Sequence, residues 1–598
     1  MSNRILMSNT MKKIIIFFLC ACSFIVACTE TSEGFLESKG KETDDLESVF
    51  SDSTKVMGFH AALFWQLGRV TMSPHGVASV LQNYKDYEAG TDNSRYSGYF
   101  RVTEFTPAYT KGDFSQGGTN AGFTDFQRGW QEAYQTIYRC NSFLQNYKKA
   151  PLTEATKEKL ANEARFIRAF FYFHLLRQYG AVPLLYDEVI DPFNPSFLER
   201  STFEECVNYL AQELRAAADA LPLEQMGADY GRPTKASALG VLTELYALAA
   251  SPLYNGGNIG SGDNRLLVGY DNYDVNRWEN VRITAQELMG LGTHELVKDN
   301  KTRPGNGFYL ATTKRVNTER VWFWVTVSTT GYPASALLPK SRNGGRQIQP
   351  YHELVEAFPM KDGTPIDKNS AEYKENPYQN RDPRLGYTII YNEAEWIKTK
   401  GGELEKVYTY KDATQDGYGT SGGTETGYYF RKCCNEDLMA NEYGEGTGLS
   451  FIRYADIMLL YAEALTELNV DRNRDEIEKQ LFELRDRAGI EPGDDKRYGV
   501  PANMNKDEMI DFIINERRIE FANECGNRFW DLKRRKLYEK LDGVWTSAAV
   551  WEKTNDGSYT WSVMPIEQHF FSQKMYFSAI PQREINASHG KLIQNPGW

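Results

Sequence analysis

Helix-period apolar patterning fills both ends of this chain and fails in the middle, which limits it to a helical scaffold broken by an irregular insert. Residues 124–147 place Trp130, Tyr134, Ile137, Tyr138 and Phe143 at steps near three and four, the spacing of one helical face. Asn141 interrupts that face once. Residues 153–179 open at Thr153-Glu154-Ala155-Thr156 and stop at Gly180 and Pro183. Further helices are predicted over 201–220, 233–250, 276–291, 452–468, 474–489 and 506–524. In the segment 452–468, Ile457, Leu460, Tyr461, Ala464 and Leu468 share one face. Helix pairs of about 34 residues suggest a tetratricopeptide-like stack.

Residues 301–450 hold strand-like runs such as Val321-Trp322-Phe323-Trp324-Val325 and long Gly-, Asn- and Tyr-rich stretches, notably 400–428. Loops that long are uncommon unless they are functional or disordered. The tail 560–598 is aromatic and Pro-punctuated, without a clear period. The expectation is a mainly α fold in a single domain, 29–598. Its helical scaffold covers 45–300 and 450–540, its loop-rich insert with short strands covers 301–450, and an aromatic C-terminal segment covers 541–598.

Residues 11–28 read MKKIIIFFLCACSFIVAC. Lys12 and Lys13 precede an almost wholly apolar run, 14–27, that is shorter than the roughly 20 residues a spanning helix needs. Ala27-Cys28 closes the run in the pattern of a bacterial lipobox. Residues 1–28 are therefore read as a lipoprotein signal, and Cys28 as the lipid-attachment residue. The segment Leu19-Cys20-Ala21-Cys22 is a rival, passed over because the apolar run continues beyond it. An ordinary signal peptide cut nearby is the other reading, and translation starts at Met1 or Met11. Thr29-Glu30-Thr31-Ser32-Glu33-Gly34 reads as a tether. The work is expected outside the cytoplasm, on a protein held to a membrane by its lipid anchor only.

A formal charge of −12 argues against a nucleic-acid partner, whose phosphates need a basic face. Aromatics in Gly- and Asn-rich stretches suit a ligand with apolar faces and polar edges, a sugar or a peptide. Cys140, Cys206, Cys433, Cys434 and Cys525 are scattered, lack a CxxC spacing and have no histidine at ligand spacing. They read as small buried residues rather than a disulfide framework or a metal site. There is no HExxH or P-loop, so no metal or other cofactor is expected.

Carboxylates on the later helices invite an enzyme reading. Glu516, Glu520 and Asp531 lie near Arg517, Arg518 and Arg528 in sequence, and Asp456 and Glu463 sit two helical turns apart. Such pairs could serve a surface glycoside hydrolase as acid and base. Their interleaving with apolar residues favours arginine pairing at helix contacts instead, and no enzyme is expected.

Several segments in order resemble the SusD/RagB family of outer-membrane lipoproteins of the Bacteroidetes. They are Glu163-Ala164-Arg165-Phe166-Ile167-Arg168-Ala169 with Tyr179-Gly180-Ala181-Val182-Pro183-Leu184; Gly231-Arg232-Pro233-Thr234-Lys235; and Phe451-Ile452-Arg453-Tyr454-Ala455-Asp456 with Tyr461-Ala462-Glu463-Ala464. Leu484-Arg485 to Ala488-Gly489, Asn515-Glu516-Arg517-Arg518-Ile519-Glu520-Phe521, Arg528-Phe529-Trp530-Asp531-Leu532, Ala579-Ile580-Pro581-Gln582-Arg583-Glu584-Ile585 and Gln594-Asn595-Pro596-Gly597-Trp598 complete the set. Cys525 is a departure, standing between the family's usual acid and glycine. The resemblance implies a tetratricopeptide-like scaffold and a surface-exposed lipoprotein of the cell outer membrane. Such a protein captures nutrient oligomers, mostly glycans, as the lid of a SusC-like TonB-dependent transporter.

Trp130, Tyr134, Phe166, Trp278 and Trp530 read as core. The stretch from Asp86 to Phe100 lacks a period, so its rings are expected on the surface. Family members carry binding aromatics on a loop of this kind and within the central insert. That resemblance points to Tyr96, Tyr99, Trp324, Tyr332 and Arg342 as ligand-binding residues, with Tyr408, Tyr410 and Tyr418 next. Starch, host glycan, plant polysaccharide and oligopeptide all remain open as ligand, and a peptide-binding or scaffold role is the further alternative.

Overall fold

Polar caps set where the helices begin. Helix α1, Ser53–Leu63, starts at Asp52, whose carboxylate accepts from the Lys55 amide at 3.0 Å. Helix α2 runs Ala121–Asn146. Helix α3, Glu154–Tyr179, is capped by Thr153 and stopped by Gly180, whose φ of 73° favours a residue without Cβ. Helices α4, Phe203–Ala220, and α5, Lys235–Ala250, each carry a reciprocal capping box, Thr202 with Glu205 and Thr234 with Ser237. Helix α6 is Arg277–Gly290. Helix α7, Tyr454–Arg487, breaks at Asn469, where the backbone is extended, so the two helices expected over 452–468 and 474–489 join end to end. Helix α8, Lys506–Glu520, has a third box at Asn505 and Glu508, and α9 is Asn527–Arg534.

This computed structural model describes residues 46–64, 67, 84–97, 105–114, 121–190, 198–257, 259–325, 328–330, 334–399, 401–445 and 448–598. From α2 to α9 each of these helices packs on the following one, with five shorter helices intervening in the chain between α6 and α7. Helix α3 is buried on nearly every side from Leu160 onward; Phe166, Ile167, Phe170, Phe171, Leu175 and Leu176 are all buried, and so are the polar Glu163, Arg168 and His174. The fold is mainly α, as expected.

Among the described residues, twelve strands form six separate antiparallel pairs. Strand β1, Ser94–Tyr96, pairs with β4, Ile348–Pro350. Strand β2, Arg320–Trp324, pairs with β10, Leu449–Arg453, and lies against α5, where Gly240 lets Val321 approach: a Cβ there would sit 3.0 Å from Cγ1 of Val321. Strands β3 (Ser328–Thr330) and β9 (Tyr443–Glu445), β5 (Ile389–Ile390) and β8 (Tyr429–Phe430), and β6 (Glu395–Ile397) and β7 (Leu404–Lys406) make three more pairs.

The middle of the chain builds a core of its own. Leu337, Ile348, Phe358, Ile389, Trp396 and Phe430 pack there with Ile519 from α8. The hairpin of β11, Trp545–Lys553, and β12, Tyr559–Gln568, closes it through Ala549 and Trp551. That hairpin was not expected, because β11 is buried on consecutive residues and shows no alternation. Gly427, at φ 88°, runs against it so closely that a Cβ would lie 2.1 Å from the Ala549 carbonyl oxygen. The last residues return to the helical core. The Asn595 side-chain amide donates to the carbonyls of Tyr179 at 2.8 Å and Ser578 at 2.7 Å, and Gln178 donates to the Ser578 hydroxyl.

Candidate functional site

The carboxylates on α7, α8 and α9 are committed to guanidinium groups. Glu516 lies 2.6 Å from Arg384 and 2.9 Å from Arg485. Glu520 lies 2.5 Å from Arg487, 3.0 Å from Arg453 and 3.2 Å from Arg384. Asp531 holds Arg517 and Arg534, both at 2.8 Å, and Asp456 meets Arg517 at 2.5 Å. All of these side chains are buried. Burial alone would raise the Glu516 and Glu520 carboxyls; the facing arginines outweigh it and hold both below the usual carboxylate range. Of the charges expected to pair with each other, only Arg517 with Asp456 and Asp531 does so; Glu516 and Glu520 meet arginines from elsewhere, and Arg518 and Arg528 meet Asp92. These pairings leave none of the carboxylates free to give a proton to a leaving group.

Cysteine chemistry is equally quiet. Cys140, Cys206 and Cys434 are buried and all five thiols are unbridged. Burial pushes Cys140, Cys206 and Cys433 up to about 12, far from a thiolate nucleophile. Among the described residues no group of three or more His, Cys, Asp or Glu could hold a metal ion. No described helix is long and apolar enough to cross a membrane.

The ligand-binding residues read from the sequence scatter. Tyr96 is a correction: it sits opposite Ile348 in the β1–β4 pair and is buried, because strand pairing turns its ring into the core of the middle segment. Arg342 is another. Its Nη2 donates to the Glu405 carbonyl at 3.0 Å and its Nη1 to the Ser341 hydroxyl at 2.8 Å, so its guanidinium ties strand β7 to the preceding chain. Trp324, at the end of β2, is half-buried against the helical core. Tyr99, Tyr332 and Cys28 lie outside the described residues.

Two surface features carry aromatic character that the sequence pattern had divided differently. A cavity of about 560 Å³ opens beside α2, lined by Trp130, Tyr134 and Tyr138, by aliphatic Leu185, Leu198 and Leu592, and by Arg139. Tyr134, read as core, is only half-buried, and its hydroxyl donates to the Pro183 carbonyl at 2.8 Å. The second feature is the Tyr408–Tyr410 stretch. Val407 and Thr409 are buried while Tyr408 is 41% exposed, so the alternation throws both tyrosines to one side, with Tyr410 half-buried against the middle core. Tyr418, from the same stretch, donates its hydroxyl to Met564 Sδ at 3.4 Å. The signal for this face was the Tyr-Thr-Tyr alternation.

Comparison with known proteins agrees with this architecture. The model of the SusD family matches residues 318–598, and the model described as "Starch-binding associating with outer membrane" matches residues 74–247. SusD-like protein P2 of Formosa agariphila is 23% identical over 599 residues, covering 98% of this chain and 100% of the relative. A SusD-like protein of Bacteroides fragilis, 22% identical, superposes with a TM-score of 0.72 over 92% of this chain and 98% of that one. A SusD-like carbohydrate binding protein from the same organism, also 22% identical, gives a TM-score of 0.67 over 90% of this chain and 99% of that one.

Proposed function

The chain belongs to the SusD/RagB family, and from that premise we propose that it is a non-catalytic, surface-exposed outer-membrane lipoprotein. It captures glycan oligomers and passes them to a SusC-like TonB-dependent transporter. Carbohydrate binding is the function named for one structural neighbour, and starch binding at the outer membrane is the description of one matching family model. The observation that carries the non-catalytic reading is the neutralisation of Glu463, Glu516, Glu520 and Asp531 by arginines, while aromatic rings reach the surface elsewhere. A pyranose presents an apolar C–H face to a ring and hydroxyls to its polar neighbours. Affinities in the micromolar-to-millimolar range follow when each hydroxyl exchanges water for protein at about 1 kcal/mol net. Weak binding suits a protein that must release its cargo.

Of the five residues first singled out, we place ligand contact at Trp324, Tyr99 and Tyr332 and assign Tyr96 and Arg342 to packing. The aliphatic wall of the cavity beside Trp130 favours one second reading, an oligopeptide ligand. Incubation of the purified protein with soluble starch, laminarin and a casein peptide digest, followed by chromatography and calorimetry, tests both. Binding of a glycan with its chain length unchanged is the expected result. New short products would restore the hydrolase, and binding of peptides alone would replace the glycan reading.

A further inference from the structure

Strand β2 opens on Arg320, which is 3% exposed, and the strand register sets Arg453 of β10 directly opposite. Arg453 belongs to a buried ion network. In it Glu319, Asp382, Glu516, Glu520 and Glu524 meet Arg384, Lys432, Arg453, Arg485 and Arg487, each within 3.2 Å of an opposite charge. Five carboxylates answer five cations, so the network is neutral without Arg320. Among the described residues Arg320 makes no ion pair, and its guanidinium donates no hydrogen bond. Its Nε and Nη1 are enclosed without an acceptor, which leaves Nη2 as the accessible nitrogen. The charge of Glu524 reaches Arg320, but that carboxylate is already held by Arg453 at 2.7 Å and by Lys432 at 2.6 Å.

A guanidinium cannot shed its charge at neutral pH as a buried lysine can. Water would answer its N–H groups and leave the charge uncompensated. We propose that Arg320 holds one small monovalent anion, a halide of which chloride is the common case, against the Nη2 edge of its guanidinium. The surplus is a single positive charge. A dianion such as sulfate would overshoot it and cost about four times as much to desolvate, since that cost grows with the square of the charge. The surroundings are also too apolar for a group with many oxygens. Phe323 lies 5.6 Å from the guanidinium, Tyr230 packs on Phe323 at 4.9 Å between centroids, and the Tyr230 hydroxyl is committed to the Arg315 carbonyl at 2.7 Å. Cys433, whose thiol feels the Arg320 charge, offers an S–H, a weak donor that a halide accepts. The ion so held anchors the start of the strand whose far end carries Trp324.

Urea unfolding of the purified protein at constant ionic strength, with chloride exchanged for the bulky anion gluconate, tests it. Once chloride exceeds its Kd, each tenfold rise should raise the ratio of folded to unfolded protein about tenfold, as one ion bound only by the folded state requires. Arg320→Met should flatten that response. Diffraction from crystals grown in sodium bromide should show an anomalous peak beside Nη2 of Arg320. A folded-to-unfolded ratio that ignores chloride overturns the site, and a bromide peak found alongside it is then an adventitious ion only. A chloride response that survives in Arg320→Met overturns it as well, because the ion then binds elsewhere. If Arg320→Met does not fold in either salt, the unmutated protein decides: the chloride response together with the bromide peak supports the site, and the lack of either overturns it.

Discussion

Arg534 grips Glu463 through two parallel hydrogen bonds, Nη1 to Oε1 at 2.7 Å and Nη2 to Oε2 at 2.6 Å, with both side chains buried. Arg535 reaches the same carboxylate at 3.3 Å. Removing the charge by Glu463→Gln takes from the buried Arg534 guanidinium one of its two carboxylates, Asp531 remaining at 2.8 Å, which costs about 3 kcal/mol. The urea midpoint of this variant should fall accordingly. A midpoint equal to that of the unmutated protein would mean that the pair does not hold α7 to α9.

Arg342→Ala should behave as a packing variant and not as a binding variant. It strands the Glu405 carbonyl and empties a buried site, a loss of about 2–3 kcal/mol. Calorimetric titration of the fraction that remains folded should return the unmutated glycan affinity. A drop in affinity without a drop in stability would restore Arg342 to the ligand site.

Those two residues also show what the sequence could convey. Helix periodicity located α2 to α8 because an apolar face repeating every three to four residues has one stable solution, burial against a neighbour. It also singled out Glu463 and Glu516 as structural, since a carboxylate between apolar neighbours on a helix must find a partner. Arg342 and Tyr96 were beyond reach, because whether a residue in an irregular segment faces in or out depends on the strand that pairs with it. For Tyr96 that strand lies some 250 residues away, at Ile348. The hairpin β11–β12 was missed for a related reason: Thr546 to Trp551 is buried on every residue, so no alternation marks it as a strand.

His174 should make stability depend on pH. It is buried between aromatic rings, and its Nδ1 accepts from Arg177 Nη2 at 2.6 Å, which requires a neutral imidazole. Burial first, and the Arg177 charge second, hold it well below the ordinary histidine value. The unfolded chain takes up a proton near pH 6.5 and the folded one does not. The contribution of this group is therefore complete above pH 6.5 and is lost as pH falls below it, at about 1.4 kcal/mol per pH unit. Urea midpoints at pH 7.5, 6.0 and 5.0 should fall less steeply for His174→Gln than for the unmutated protein. Parallel curves would show that His174 is protonated in the folded state.

Cys28 should carry the lipid. Metabolic labelling with a clickable palmitate should mark the unmutated protein, which should sediment with outer membranes. Cys28→Ala should do neither. Continued labelling of that variant would move the attachment to another cysteine, Cys22 first.

The junction of the C-terminal residues with the end of α3 ties chain positions some 400 residues apart, as in the Asn595 to Tyr179 and Gln178 to Ser578 contacts. A polypeptide emerging from its N-terminus has therefore made its central helix long before it has made the residues that seal that helix's end. Closure of the main core must wait for release of the full length, and such long-range closure is slow. An export apparatus that threads extended chains would find this protein still open for as long as its last segment is unmade.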